Sequence, residues 1–235
     1  MVNIVVTGKT SRFAKTLKKY FFGKNIFYTN KKELNILNEK SINNFLIKKK
    51  IKILVHLAGL SRPMNIHNKN ISKSIDLNII GTANIVKCCK KNKVKLIYFS
   101  TNYVYPGSKG NYKESEPLLP VNNYAWSKLG GETSVQLYKN SLILRVCMTE
   151  RPFIHPKAFA NVKTSFAYHD EISSILFKIL DKKGIINLGG KSQFVYNFAK
   201  KDNKKVKKIY LSKQTKIGMP FDSSINLSKL KKILR

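Results

Sequence analysis

The chain is short of acidic residues: 12 Asp and Glu stand against 45 Lys and Arg, a formal charge of +33 on 235 residues. A balance of that sign points to anionic partners, whether nucleic acid, an anionic membrane surface or anionic substrates. The excess, however, is mostly lysine, spread along the whole chain among abundant Asn and Ile. Compositional drift accounts for that spread better than a dedicated nucleic-acid face, and a non-specific, salt-sensitive affinity for polyanions is expected either way. Cysteine is also scarce. Cys88, Cys89 and Cys147 have no metal-ligand spacing and are odd in number, so they are expected to be reduced, buried and inert, in a cytoplasmic compartment. No apolar run approaches the ~18 residues of a membrane span, which predicts no membrane-crossing segment. The start Met1-Val2-Asn3-Ile4-Val5-Val6-Thr7-Gly8 reads as a strand and not as a signal peptide. No internal repeat or low-complexity linker divides the sequence, and its length leaves no room for a second full domain.

What is present is alternation. Short apolar runs at 2–6, 25–28, 53–57, 96–99 and 142–146 alternate with amphipathic stretches near 13–22, 41–50, 78–91 and 124–138. Continuous apolar strands separated by helices predict a parallel sheet covered on both faces, a doubly wound α/β fold.

The first crossover carries Gly8-Lys9-Thr10-Ser11-Arg12-Phe13-Ala14, where a dinucleotide fingerprint places Gly at the positions of Gly8, Ser11 and Ala14. Gly8 permits the tight turn, and Ala14 still lets helix pack closely on strand. Ser11 departs from the pattern: its side chain crowds a pyrophosphate, although its hydroxyl and the helix N-terminal amides can hydrogen-bond one. No acidic residue stands at the end of the second strand, where Tyr28-Thr29-Asn30-Lys31-Lys32 is found instead. With Arg12, Lys31 suits the extra phosphate of NADP, NAD remaining the alternative. The third strand ends in His56-Leu57-Ala58-Gly59, and the small Ala58 and Gly59 let a cofactor backbone pass. His56, inside an apolar run, reads as a satisfied core group.

A second constellation joins Ser100-Thr101-Asn102-Tyr103 to Asn123-Tyr124-Ala125-Trp126-Ser127-Lys128. If a helix opens at the second segment, Tyr124 and Lys128 lie four apart on one face, and the ammonium beside the phenol lowers its pKa. Thr101, at a strand's carboxyl end, supplies a hydrogen bond to the same substrate oxygen. A hydroxyl, a phenol and an ammonium so placed can hold and protonate a carbonyl while a hydride arrives, so the chemistry implied is carbonyl reduction or alcohol oxidation.

These segments, with Gly130-Gly131-Glu132 following, resemble the extended short-chain dehydrogenase/reductases. Within them the likeness is to the dTDP-4-dehydrorhamnose reductases and the NAD-dependent epimerase/dehydratases. The resemblance implies a reductase of a nucleotide-linked 4-keto-6-deoxy sugar, with Thr101, Tyr124 and Lys128 catalytic and Asn102 and Tyr103 beside the substrate. It places Asn35 near an adenine, and it has Asn78 facing the active site, although a helix cap explains Asn78 equally well. Arg145 reads as structural or as a phosphate contact, and Asp170 as an N-cap. The expected division is a dinucleotide-binding core at 1–146 and a reduced substrate lobe at 147–235, interleaved with the last core elements. The lobe is shorter than in the family, and a compacted member is implied. An epimerase or dehydratase using the same triad, and a non-catalytic NAD(P)-binding protein, stay open, as does homodimerisation.

Overall fold

The computed structural model describes residues 2–212 and 218–235. Six strands form one parallel sheet: β1 (Ile4–Thr7), β2 (Ile26–Thr29), β3 (Ile53–His56), β4 (Lys95–Thr101), β5 (Ser141–Val146) and β6 (Gly184–Leu188). Their order across the sheet is β2-β1-β3-β4-β5-β6, with every neighbouring pair parallel. The apolar runs are continuous because both faces are covered. On one face α1 (Arg12–Tyr20), α5 (His169–Lys178) and α7 (Ser228–Leu234) bury Leu17, Ile172, Leu176 and Leu230 against Val6, Ile97 and Leu144. On the other, α2 (Glu39–Lys48), α3 (Gly81–Lys91) and α4 (Asn123–Gln136) bury Ile42, Leu46, Ile85 and Val135 against Val5, Leu54 and Ile143.

The predicted doubly wound α/β class is the observed one. Within 147–235, where core elements were expected to be interleaved with the lobe, Gly184–Leu188 extends the central sheet beside β5. The chain after residue 146 therefore gives one strand and two helices to the central body. The rest, with the short helix α6 (Val195–Ala199), packs a small cluster of its own around Phe153, Val162, Tyr168, Phe198 and Val206.

Chain direction across the sheet reverses between β1 and β3. From β1 the chain moves outward to β2, then crosses back through α2 to β3 on the other side. The loops leaving β1 and β3 diverge there, and such a switch point opens a crevice at the strands' carboxyl ends. Cys88, Cys89 and Cys147 are free and buried, as expected. Among the described residues no helix is long and apolar enough to cross a membrane.

Candidate active site

Asn122 caps α4, its side-chain oxygen accepting from Ala125 N at 2.8 Å, and that cap fixes where the helix begins. Tyr124 falls in the first turn and Lys128 one turn later. Thr101 closes β4, its hydroxyl accepting from Tyr103 N at 3.2 Å and standing near enough to the Tyr124 phenol to lower its pKa. Threonine, phenol and lysine thus meet at the carboxyl end of the sheet, with Tyr124 and Lys128 half-buried.

The electrostatics differ from the sequence expectation. Burial raises the Tyr124 phenol above its ordinary value, partly opposed by the Thr101 hydroxyl and by the charge of Arg62. Lys128 is not the cation that acts on the phenol: its ammonium lies 4.2 Å from the centre of the Tyr98 ring. Burial brings Lys128 down to about 7, against a smaller upward pull from Glu132. The expected phenol acidified by its neighbouring ammonium is therefore replaced by a protonated phenol and a lysine poised between its two states. Burial also raises Tyr103, half-buried near Tyr124 and Arg62.

At the roots of the two switch-point loops, before they part, Gly8 and Ala58 press together. Gly8 has a φ of +76°, and a Cβ there would lie 2.9 Å from the Ala58 backbone, so both conformation and space demand glycine. Ser11 is the N-cap of α1, its Oγ accepting from Ala14 N at 3.1 Å, which leaves the hydroxyl proton free to donate. Phe13 is turned into the core, 5.1 Å from the Phe99 ring centre and 5.4 Å from that of His169, so its side chain is not a cofactor contact. Thr10, Arg12 and Lys31 are exposed. Lys9 pairs with Glu33 at 2.8 Å, which brings to the end of β2 a carboxylate the strand-end reading did not anticipate. Asn35 accepts from Leu37 N at 3.1 Å in its own turn, the ordinary role of such a residue.

Expectations for the remaining polar residues resolve individually. His56 is a satisfied core group: it is buried, with Nδ1 3.0 Å from Thr7 Oγ1 and Nε2 3.2 Å from Thr82 Oγ1. Burial takes it down to about 3, so it stays neutral. Asn78 is not a cap. It lies in a π-helical turn, Ile75–Ile80, accepts from Leu60 N at 2.7 Å, and donates to Leu60 O and Ser127 Oγ at 2.8 Å each. Asn102, expected beside a substrate, is buried, and its amide donates to Ser223 O at 2.9 Å. It ties the carboxyl-terminal segment to β4. Arg145 is structural: fully buried, it donates to Glu132 Oε1 from Nε at 3.0 Å and from Nη2 at 2.7 Å, and to the Tyr105 hydroxyl at 2.8 Å. Glu132 also accepts from Ser100. Asp170 is not the N-cap of α5, which is Tyr168; it lies in the first turn and accepts from Glu171 N at 3.0 Å, while the Glu171 carboxylate accepts from Tyr168 N at 2.7 Å.

Three residues of the site escaped the sequence reading. His67 is buried with its ring edge-on to Tyr124, 5.2 Å between centres, and its Nδ1 lies 2.7 Å from Ser74 Oγ. Arg62, in the loop after β3, and Glu150, just past β5, meet Arg12 from the loop after β1. Arg12 donates to Glu150 Oε1 at 2.6 Å and Arg62 to the same oxygen at 3.4 Å. Scarcity was the available signal for Glu150, since each of 12 acids among 45 cations has many suitors and a strand-end position is where sites are built.

The α1 N-terminus, with Thr10, the Ser11 hydroxyl and Arg12, presents donors for phosphate oxygens. Gly59, exposed just after β3, sits where a Cβ would lie 2.8 Å from Asn78 Oδ1.

Comparison with known proteins places this geometry. The family model described as the RmlD substrate binding domain matches residues 2–149. The dTDP-D-glucose 4,6-dehydratase of Dictyostelium discoideum is 34% identical over 139 residues, 53% of this chain and 32% of that protein. Methionine adenosyltransferase 2 subunit beta of Xenopus laevis is 31% identical over 114 residues, 48% of this chain and 34% of its own. The match thus spans about a third of the length of these curated relatives. Among solved structures, a dTDP-4-dehydrorhamnose reductase from Bacillus anthracis, in complex with NADP, superposes with a TM-score of 0.86 at 21% identity. That superposition covers 99% of this chain and 92% of the other, and it shows a shared fold.

Proposed function

The chain belongs to the family of the RmlD substrate binding domain, and from that premise we propose that it is an NAD(P)-dependent reductase of a nucleotide-linked 4-keto-6-deoxy sugar. One observation carries the reading: the Thr101 hydroxyl stands next to the Tyr124 phenol at the carboxyl end of β4, with Lys128 one turn further along the same helix. When bound, the reduced nicotinamide supplies a hydride to the keto carbon. Tyr124, protonated at neutral pH, gives its proton to the oxygen that becomes an alcohol, and Thr101 holds that oxygen in line. Lys128 orients the ribose next to the nicotinamide and returns a proton to the phenolate. Tyr103 lines the substrate side.

Arg12 and the α1 N-terminus hold the cofactor's diphosphate, with Ala58 and Gly59 clearing its path. Lys9 and Lys31 stand ready for the extra phosphate of NADP, the cofactor bound by the Bacillus anthracis neighbour. Glu33 favours NAD, because it holds Lys9 and can accept from free ribose hydroxyls. Glu33→Gln is therefore expected to shift preference towards NADPH.

The purified protein is mixed with NADPH or NADH and a panel of nucleotide-linked keto sugars, and loss of reduced cofactor is followed. Tyr124→Phe is expected to lower turnover at least about 100-fold while cofactor affinity is kept. An unchanged rate removes Tyr124 from the mechanism. The likeness to a dehydratase supports an alternative with the same triad, which converts the sugar without net consumption of NADPH. The likeness to a protein named as a subunit of another enzyme supports a non-catalytic dinucleotide-binding role. Binding without oxidation or conversion across the panel selects that role.

A further inference from the structure

The Arg12–Glu150–Arg62 group spans the crevice. Arg12 opens α1 after the β1 loop, Arg62 sits in the β3 loop, and these are the two loops that diverge at the switch point. Glu150 reaches them from just past β5. Both guanidiniums converge on one oxygen, Oε1, while Oε2 is buried and has no hydrogen-bond partner among the described residues. In the buried Arg145–Glu132 pair the second carboxylate oxygen is also engaged, accepting from Ser100. At Glu150 one oxygen is doubly used and the other is left without a donor among those residues, which is costly for a buried acceptor. The two arginines remain open to solvent, their side chains 57% and 44% exposed against 15% for Glu150. Two cations and one anion leave the rim positive, beside the exposed Thr10 and the donor end of α1.

We propose that Arg12 and Arg62 are the two prongs of a diphosphate clamp closing the crevice from both sides, and that Glu150 is its built-in counter-ion, occupying the position a phosphate oxygen takes and displaced by it. This rests on the reading of the crevice as a dinucleotide and nucleotide-sugar site, and it adds Arg62 and Glu150 to it. The ligand chemistry is a nucleoside-linked diphosphate, which both the cofactor and the nucleotide-sugar carry. A guanidinium suits that task, because its planar donors engage two phosphate oxygens together. Arg62 is also the cation whose charge reaches the Tyr124 phenol. A prong at that point holds the diphosphate within electrostatic range of the reacting group.

Equilibrium binding of the full chain to NADPH and, separately, to dTDP tests the clamp without depending on turnover. Arg62→Ala is expected to weaken the source that uses the clamp about tenfold and to flatten its dependence on salt. Glu150→Gln is expected to tighten the same ligand several-fold, since the competing carboxylate is gone while the side chain keeps its size. A change confined to NADPH assigns the clamp to the cofactor, and one confined to dTDP assigns it to the substrate. Wild-type affinity for both ligands in Arg62→Ala, or weaker binding in Glu150→Gln, overturns the proposal and makes Glu150 a brace. If the unaltered protein binds NADPH yet neither variant shifts it or dTDP, the clamp alone falls; if it binds neither ligand, the dinucleotide reading falls with it.

Discussion

Burial takes Lys128 from its ordinary 10.5 to about 7, into the range where its charge changes near neutral pH. In the reductive direction kcat/KM for NADPH reports the free enzyme. If the charged lysine is the form that orients the ribose, that quantity should decline with a midpoint near pH 7, with no limb from the raised Tyr124 phenol through neutral pH. A midpoint close to the ordinary lysine value in the pH–rate profile would return Lys128 to solvent-like surroundings. The same shift bears on stability. Between about 7 and 10.5 the unfolded chain binds the proton that the folded chain has lost, so stability rises with pH across that window and the penalty is full below it. Lys128→Met should accordingly raise Tm most at about pH 6 and progressively less towards about pH 10, a trend that thermal melts across the range would check. The four-residue spacing of Tyr124 and Lys128 was legible in the sequence; their protonation was not. It is set by burial, with Thr101 and Arg62 opposing it at the phenol and Glu132 at the lysine.

Among the elements, the π-helical turn at Ile75–Ile80 determines how the active-site helix is seated. Turns of this kind recur at functional sites because the extra residue re-aims a side chain. Here it carries Asn78 to the Leu60 backbone and to Ser127 of α4, so one amide fastens the β3 loop to the helix bearing Tyr124. Gly131 of α4 makes the contact feasible, since a Cβ there would lie 2.4 Å from Asn78 O. Asn78→Ala strands the Leu60 amide and carbonyl. It should cost about 3 kcal/mol in urea unfolding and lower kcat more than it weakens NADPH binding. Equal losses in kcat and in cofactor affinity would mean that Asn78 acts on the crevice as a whole and not on the Tyr124 helix. The sequence period showed a helix in this region but not the turn within it, because one inserted residue leaves the apolar spacing nearly unchanged. Asn102 was misread for a related reason. Its place beside Thr101 was visible, whereas its partner Ser223 lies 121 residues away.

For the molecule as a whole the charge of +33 dominates. Among the described residues the ion pairs are few, so most lysines repel one another through solvent. Salt screens that repulsion, and Tm should rise as NaCl increases from about 0.01 to about 0.3 M. A flat or falling Tm would show that the pairs at Glu33, Glu150 and Glu116 outweigh the repulsion. Binding to unrelated DNA duplexes should be indifferent to sequence and should fade over the same salt range. Any duplex retained at high salt would mark a dedicated nucleic-acid surface.

The sequence by itself determined the layered fold, the two loops that carry Gly8 and Ala58, and the strand-end and helical positions of Thr101, Tyr124 and Lys128. Those features are written in local pattern: apolar runs, glycine at a turn, and helical spacing. Only the tertiary structure decided that Gly184–Leu188 completes the sheet, that Arg145 and Glu132 are buried partners, and that Arg12, Arg62 and Glu150 meet over the crevice. Each of these is a contact between segments far apart in the chain. A strand run does not name its neighbour, and a charge does not name its counter-ion until the backbone brings the two within a few ångströms.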